Sequence, residues 1–128
     1  MPDFDAYKEA ARGRGALALE VYAVYSTPVE GGPDLGAVLP DHLDYQAQLE
    51  RAGALMLAGP LSDETGKDIR GAGLIIYRAS SMDAARDLAN ADPMHVTGAR
   101  RFELRRWLIN EGALTVSVGL STGRAGLL

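Results

Sequence analysis

The sequence predicts an α+β fold of the ferredoxin-like kind. Its order is β-α-β-β-α-β, an antiparallel sheet backed by two helices, with one extra helix before it and one extra strand after it. Three observations lead there. Segments 41–52 and 80–91 carry apolar residues at helical spacing, and they alternate with the strand-like runs 17–26, 54–61, 73–79 and 101–109. Stretches rich in glycine, proline and short polar residues separate these segments. Finally, the 128 residues suit one domain.

The elements follow in order. Residues 3–12 (DFDAYKEAAR) form a short amphipathic helix with Phe4, Tyr7 and Ala11 on one face, ended by Gly13 and Gly15. The first strand, 17–26, is rich in Val, Leu and Tyr. The loop over 27–38 (PVEGGPDLG at its centre) makes a rim or lid beside a site. A second helix starts at Pro40–Asp41 and stops at Gly53. His42, Tyr45, Leu49 and Ala52 form one stripe of it, with His42 in the first turn. The strand 54–61 ends in Gly59-Pro60, which a central strand does not continue through. The polar turn SDETGKDIRG leads to the strand 73–79. The helix 80–91 is capped by Ser80 or Ser81 and ended by Asp92-Pro93, because the residue before proline is pushed out of helical geometry. The strand 101–109 turns at Asn110-Glu111-Gly112 into an extra hairpin strand over 113–120 (110–120 with its turn), and 121–128 is a weakly ordered tail. The chain thus reads as one domain with its core over about 17–109.

The runs Leu55-Met56-Leu57-Ala58 and Leu74-Ile75-Ile76-Tyr77 are apolar on both faces of their strands, so both faces of the sheet need cover. Two helices cover one. A second copy of the chain, packed sheet to sheet, is the expected cover for the other.

Composition narrows the chemistry. With no cysteine, thiol catalysis, disulfides and cysteine-ligated metal centres are excluded. A net charge of −4 provides no bulk attraction to nucleic acid. The longest apolar stretch, Ala16 to Tyr25, is interrupted by Glu20 and is shorter than the roughly 20 residues of a membrane span. The acidic N-terminus does not fit a signal peptide. The expectation is an unprocessed cytoplasmic protein.

Among two histidines, His42 is the first candidate for proton chemistry near neutral pH. Its bland alternative is a capping-turn residue. His95 either converges on the same site or lies on the surface. A metal site built from two histidines and a carboxylate is permitted by the composition without being suggested by it. Gly59 and Pro60 are placed on a pocket wall, Tyr45 beside His42, and Asp63 at the pocket mouth. Arg100, Arg101, Arg105 and Arg106 form a basic cluster. Arg101, Glu103, Arg105 and Trp107 share a strand face, which fits a solvated or interface face. If functional, an arginine of this cluster, with Arg101 the candidate, or Arg78 would hold a substrate carboxylate. Gly13-x-Gly15 and Gly71-x-Gly73 lack the spacing and the Lys-Ser/Thr of a phosphate loop.

The run His42-Leu43-x-Tyr45, then Gly53-x-Leu55-x-Leu57-Ala58-Gly59-Pro60-Leu61-x-Asp63, Gly71-x-Gly73, Ala79, Ala84-Ala85-Arg86 and Asp92-Pro93, resembles the YCII family over about Leu19 to Ile109. The resemblance implies a dimeric α+β barrel of ferredoxin-like protomers and a His–Asp pair as active site, here His42 and Asp92. Some members resemble lactone isomerases or HCl-eliminating enzymes of aromatic breakdown. Two features depart from the commonest pattern: Met94-His95 follows Asp-Pro where an aromatic is usual, and the C-terminal hairpin extends beyond the core. The expectation is a small, cofactor-free enzyme that moves a proton on a small cyclic or carboxylated compound. The alternative is a homodimer that binds a small ligand without chemistry.

Overall fold

A computed structural model of the chain describes residues 1–127. The tail expected over 121–128 ends in Leu128, outside the described residues. The chain divides into two compact units: Glu20–Leu108, and Met1–Leu19 together with the residues from Ile109 onward.

The larger unit has the predicted α+β architecture. Its elements are β1 (Leu19–Pro28), α2 (Leu35–Ala52), β2 (Leu55–Ser62), β3 (Ile69–Tyr77), α3 (Met82–Ala91), the single turn α4 (Pro93–Val96) and β4 (Arg100–Ile109); the helix α1 (Phe4–Gly13) precedes them. The four-stranded sheet has the order β2-β3-β1-β4. Antiparallel register pairs Tyr22 with Tyr77 and Tyr25 with Leu74 across β1 and β3, and Ala58 with Ile75 across β2 and β3.

Alternation sorts the strand residues into two faces. Tyr22 and Val24, Ile75 and Tyr77, and Leu104 join Ala85 and Ala89 of α3 in the main core, with Leu49 of α2 packed against them. On the other face, Tyr25, Leu57 and Leu74 stay 42%, 55% and 36% exposed, so the helices leave an apolar sheet surface open.

Local chemistry explains most of the boundaries. Asp3 accepts from the Ala6 N–H at 2.7 Å to start α1, and Ser81 accepts from Ala84 N–H at 3.0 Å to start α3. Gly53, at φ 80°, ends α2 in the left-handed conformation that L side chains avoid.

Four expectations need correction. First, α2 starts at Leu35, not at Pro40, which lies inside the helix. Leu35 and Val38 pack with Met94 and Ala99, and that burial outweighs the hydrogen bond Pro40 cannot make. Second, β2 runs through Pro60 to Ser62. It is an edge strand, where a missing N–H is tolerated, and its register shifts between Pro60 and Ser62. Third, Asp92-Pro93 does end α3, but it also opens α4, a single turn outside the expected elements. Fourth, the strand expected over 113–120 does not pair with β4. Only β5 (Val116–Val118) forms, and it pairs with β6 (Ala125–Leu127), inside the expected tail. The intervening turn is closed by the Gly119 N–H donating to the Arg124 carbonyl at 2.8 Å, a local pairing with little loop-closure cost.

Candidate functional site

Where α2, α4 and the helix-facing side of the sheet meet, a cavity of about 360 Å³ opens. Its wall includes His42 from α2, Met94 from α4, Gly59 and Pro60 from β2, Ser26 from β1 and Arg100 from β4. Leucines and glycines make much of the remaining surface, so the few polar groups set orientation.

Asp92 sits at the junction of α3 and α4 and is 0% exposed. It serves two neighbours. One carboxylate oxygen accepts from the Met94 N–H at 2.9 Å, capping α4, and the two oxygens lie 2.8 and 2.9 Å from His42 Nδ1. A carboxylate only accepts, so Nδ1 carries a proton and the other ring nitrogen of His42 is left for the cavity that this residue lines. The same contact orients the ring.

Tyr45, one turn along α2 from His42, donates to the Leu88 carbonyl at 2.7 Å. Burial, and then the Asp92 charge, push its phenol above its ordinary value. Tyr45 is not among the residues lining the cavity; it braces α2 against α3. Tyr77 in β3 is buried beneath, its phenol pushed up by burial and by Asp92 and Tyr45.

His95 is not a surface residue. Its Nδ1 lies 2.7 Å from the Ala89 carbonyl and its Nε2 2.9 Å from Ser26 Oγ, with the ring tilted against Phe102 at 4.7 Å between centroids. A backbone carbonyl only accepts, so Nδ1 is the protonated nitrogen and Nε2 of the neutral ring accepts from Ser26. Burial holds the imidazole below its ordinary value, although the Ala89 carbonyl and Asp92 pull the other way. Among the described residues, no three His, Asp or Glu side chains group as metal ligands.

The other expected residues lie apart. Asp63 organises the β2–β3 turn, accepting from the Thr65 N–H at 3.0 Å and from Arg70 Nε at 3.1 Å. Hydrogen bonds from the Thr65 hydroxyl and then Arg70 hold its carboxyl below its ordinary value. Arg101 projects from β4 beside Tyr25, Thr27 and Glu103, into a separate recess. The arginine that lines the cavity is its neighbour, Arg100. Ser26 and Gln46 are polar wall residues that sequence reasoning did not single out, and Arg100 was named only as one of a cluster of four arginines. Strand alternation held the signal: Ser26 shares parity with Tyr22 and Val24, and Arg100 with Phe102 and Leu104.

Comparisons with known proteins agree with this architecture. The Bacillus subtilis (strain 168) uncharacterized protein YjpA is 26% identical over 70 residues, covering 55% of this chain and 75% of YjpA. A solved structure of similar fold is the 5-chloro-2-hydroxyhydroquinone dehydrochlorinase TftG of Burkholderia phenoliruptrix AC1100, in complex with 2,5-dihydroxybenzoquinone. Its TM-score is 0.52 at 23% identity, covering 68% of this chain and 92% of the TftG chain. The model of the YCII-related domain matches residues 20–108, nearly the whole of the larger compact unit. With most of its length matched by that model, the chain belongs to the YCII-related domain family.

Proposed function

We propose that this protein is a small, cofactor-free enzyme that transfers a proton on a small cyclic or carboxylated molecule held in the cavity. His42 is the general base and acid, and Asp92 is its orienting partner. One observation carries the reading: His42 Nδ1 is held by both oxygens of a fully buried Asp92, on the wall of a largely apolar cavity. That bond fixes the tautomer in which Nε2 presents a lone pair. Nε2 takes a proton from a carbon next to a carbonyl, and the C–H electron pair moves onto the carbonyl oxygen as an enolate. Returning the proton at another carbon gives isomerisation. Expelling a leaving group as an anion gives elimination. General acid–base help of this kind contributes about 10²–10⁴-fold, enough for an activated carbon acid. The dehydrochlorinase of similar fold, with its bound cyclic quinone, supports this substrate class.

The working form proposed here is a cytoplasmic homodimer. Tyr25, Leu57 and Leu74 on the uncovered sheet face support it, since a second copy would bury them.

The test is exchange of the ring C–H of 2,5-dihydroxybenzoquinone with D2O, followed by proton NMR. Wild-type protein is expected to accelerate exchange, and His42→Gln to remove the acceleration while leaving measurable affinity. A quinone that binds equally to both proteins and exchanges at the uncatalysed rate in both would instead mark a ligand-binding protein.

A further inference from the structure

Arg100 is the residue the proton-transfer reading leaves without a task. It stands at the start of β4 with Nη1 donating to two backbone carbonyls, that of Ser26 at 3.3 Å and that of Gly71. These carbonyls fix the guanidinium without neutralising it. The ion pairs of the neighbouring arginines go elsewhere: Arg70 to Asp63 and Asp68, and Arg106 to Glu20. No carboxylate is paired with Arg100 among the described residues. Burial lowers its pKa, partly opposed by the Asp92 charge, yet a guanidinium stays charged in a protein. Arg100 lines both the cavity and an adjoining recess formed with Pro28, Leu35 and Ile69. A half-buried cation on a cavity wall, without a counter-ion, is relieved by an anion from solution.

Ser26 lines the same cavity and is 3% exposed. While His95 is neutral, the one Ser26 hydroxyl proton is committed to Nε2, and Oγ offers the cavity only lone pairs. A proton on His95 reverses that bond. Nε2–H then donates to Oγ, and the hydroxyl is free to donate to a ligand. The groups facing His95 are Asp92 ahead of α4, His42 on α2, Arg100 on β4, the Ala89 carbonyl on α3 and Ser26 on β1. Asp92 favours the added charge; His42 and Arg100 oppose it. An anion resting on Arg100 cancels part of that opposition.

We propose that Arg100, Ser26 and His95 form an anion subsite of the cavity, which takes a carboxylate or acidic enol oxygen of the ligand and gains a proton on His95 as it fills. The subsite rests on the reading of the cavity as a ligand site, but not on His42 as a base. It selects small molecules that carry an anionic oxygen, held in the cavity that His42 also lines.

The test compares benzoate with its neutral isostere benzamide by NMR titration of labelled protein, between about pH 5.5 and 8, where benzoate stays ionised. Wild type is expected to favour benzoate about tenfold or more at the acidic end, the range of a charge-assisted hydrogen bond. That preference narrows as the pH rises. Arg100→Gln removes the preference by costing benzoate far more affinity than benzamide, whereas Arg100→Lys keeps part of it. His95→Gln retains a preference but loses its pH dependence. His42→Gln keeps the benzoate preference, so the subsite and the proton-transfer reading stand or fall separately. Equal affinity for the two probes, binding of neither at millimolar concentration, or a benzoate preference that survives Arg100→Gln overturns the subsite. A pH dependence that survives His95→Gln overturns the coupling. The wild-type comparison needs no variant, so it decides even where a substitution impairs folding.

Discussion

Two imidazoles stand at or behind the cavity wall, and their hydrogen bonds differ. His42 is tethered to a charged group and lines the cavity; His95 is held between a backbone carbonyl and a serine hydroxyl and is largely enclosed. Burial keeps His95 below its ordinary value, so the unfolded chain takes up this proton more readily than the folded one. Its contribution to stability is therefore intact above the ordinary imidazole range. It is lost as the pH falls from there through the lowered folded value. Thermal melts between about pH 7 and 5 should show wild type losing stability, with a shallower loss in His95→Gln. His42 was legible as a candidate because so few residues of this composition can move protons near neutrality. The role of His95 was not. Its partner Ser26 lies 69 positions away, and only the folded chain brings them together.

At the scale of elements, the β2–β3–β1 side of the sheet depends on one close approach. Gly71 near the start of β3 adopts φ +104°, and a Cβ there would collide with the Pro28 ring at the end of β1. Its carbonyl also accepts from Arg100. Gly71→Ala should destabilise the protein by roughly 1–3 kcal/mol in denaturant titration, through strain and overpacking together. It should also weaken benzoate binding by displacing Arg100. Element types were readable from period and punctuation, as with the helix stops at Gly53 and Asp92-Pro93. Boundaries set by tertiary packing were not. The first turn of α2 exists because Leu35 and Val38 meet Met94 and Ala99, and no local signal at Pro40 reports that. The β5–β6 pairing is likewise a choice of partner, which alternation does not encode. Arg100 and Arg101 differ by one position and face opposite sides, so the expected arginine was one residue from the one on the cavity wall.

At the scale of the whole molecule, the YCII-related match spans nearly all of the larger unit, and the open apolar sheet face is what the proposed second copy would cover. Wild type should sediment as a dimer at micromolar concentration. Leu74→Glu, which puts a charge in the centre of the apolar face opposite Tyr25, should shift it to monomer. A wild-type monomer would contradict the dimer. The proposed His42–Asp92 dyad is tested by the rate of carbon-bound hydrogen exchange into D2O on a cyclic enol substrate. The expected result is catalysed exchange by wild type, its loss in His42→Gln and a large reduction in Asp92→Asn, with ligand affinity retained in both. Exchange by His42→Gln at the wild-type rate would rule out His42 as the base.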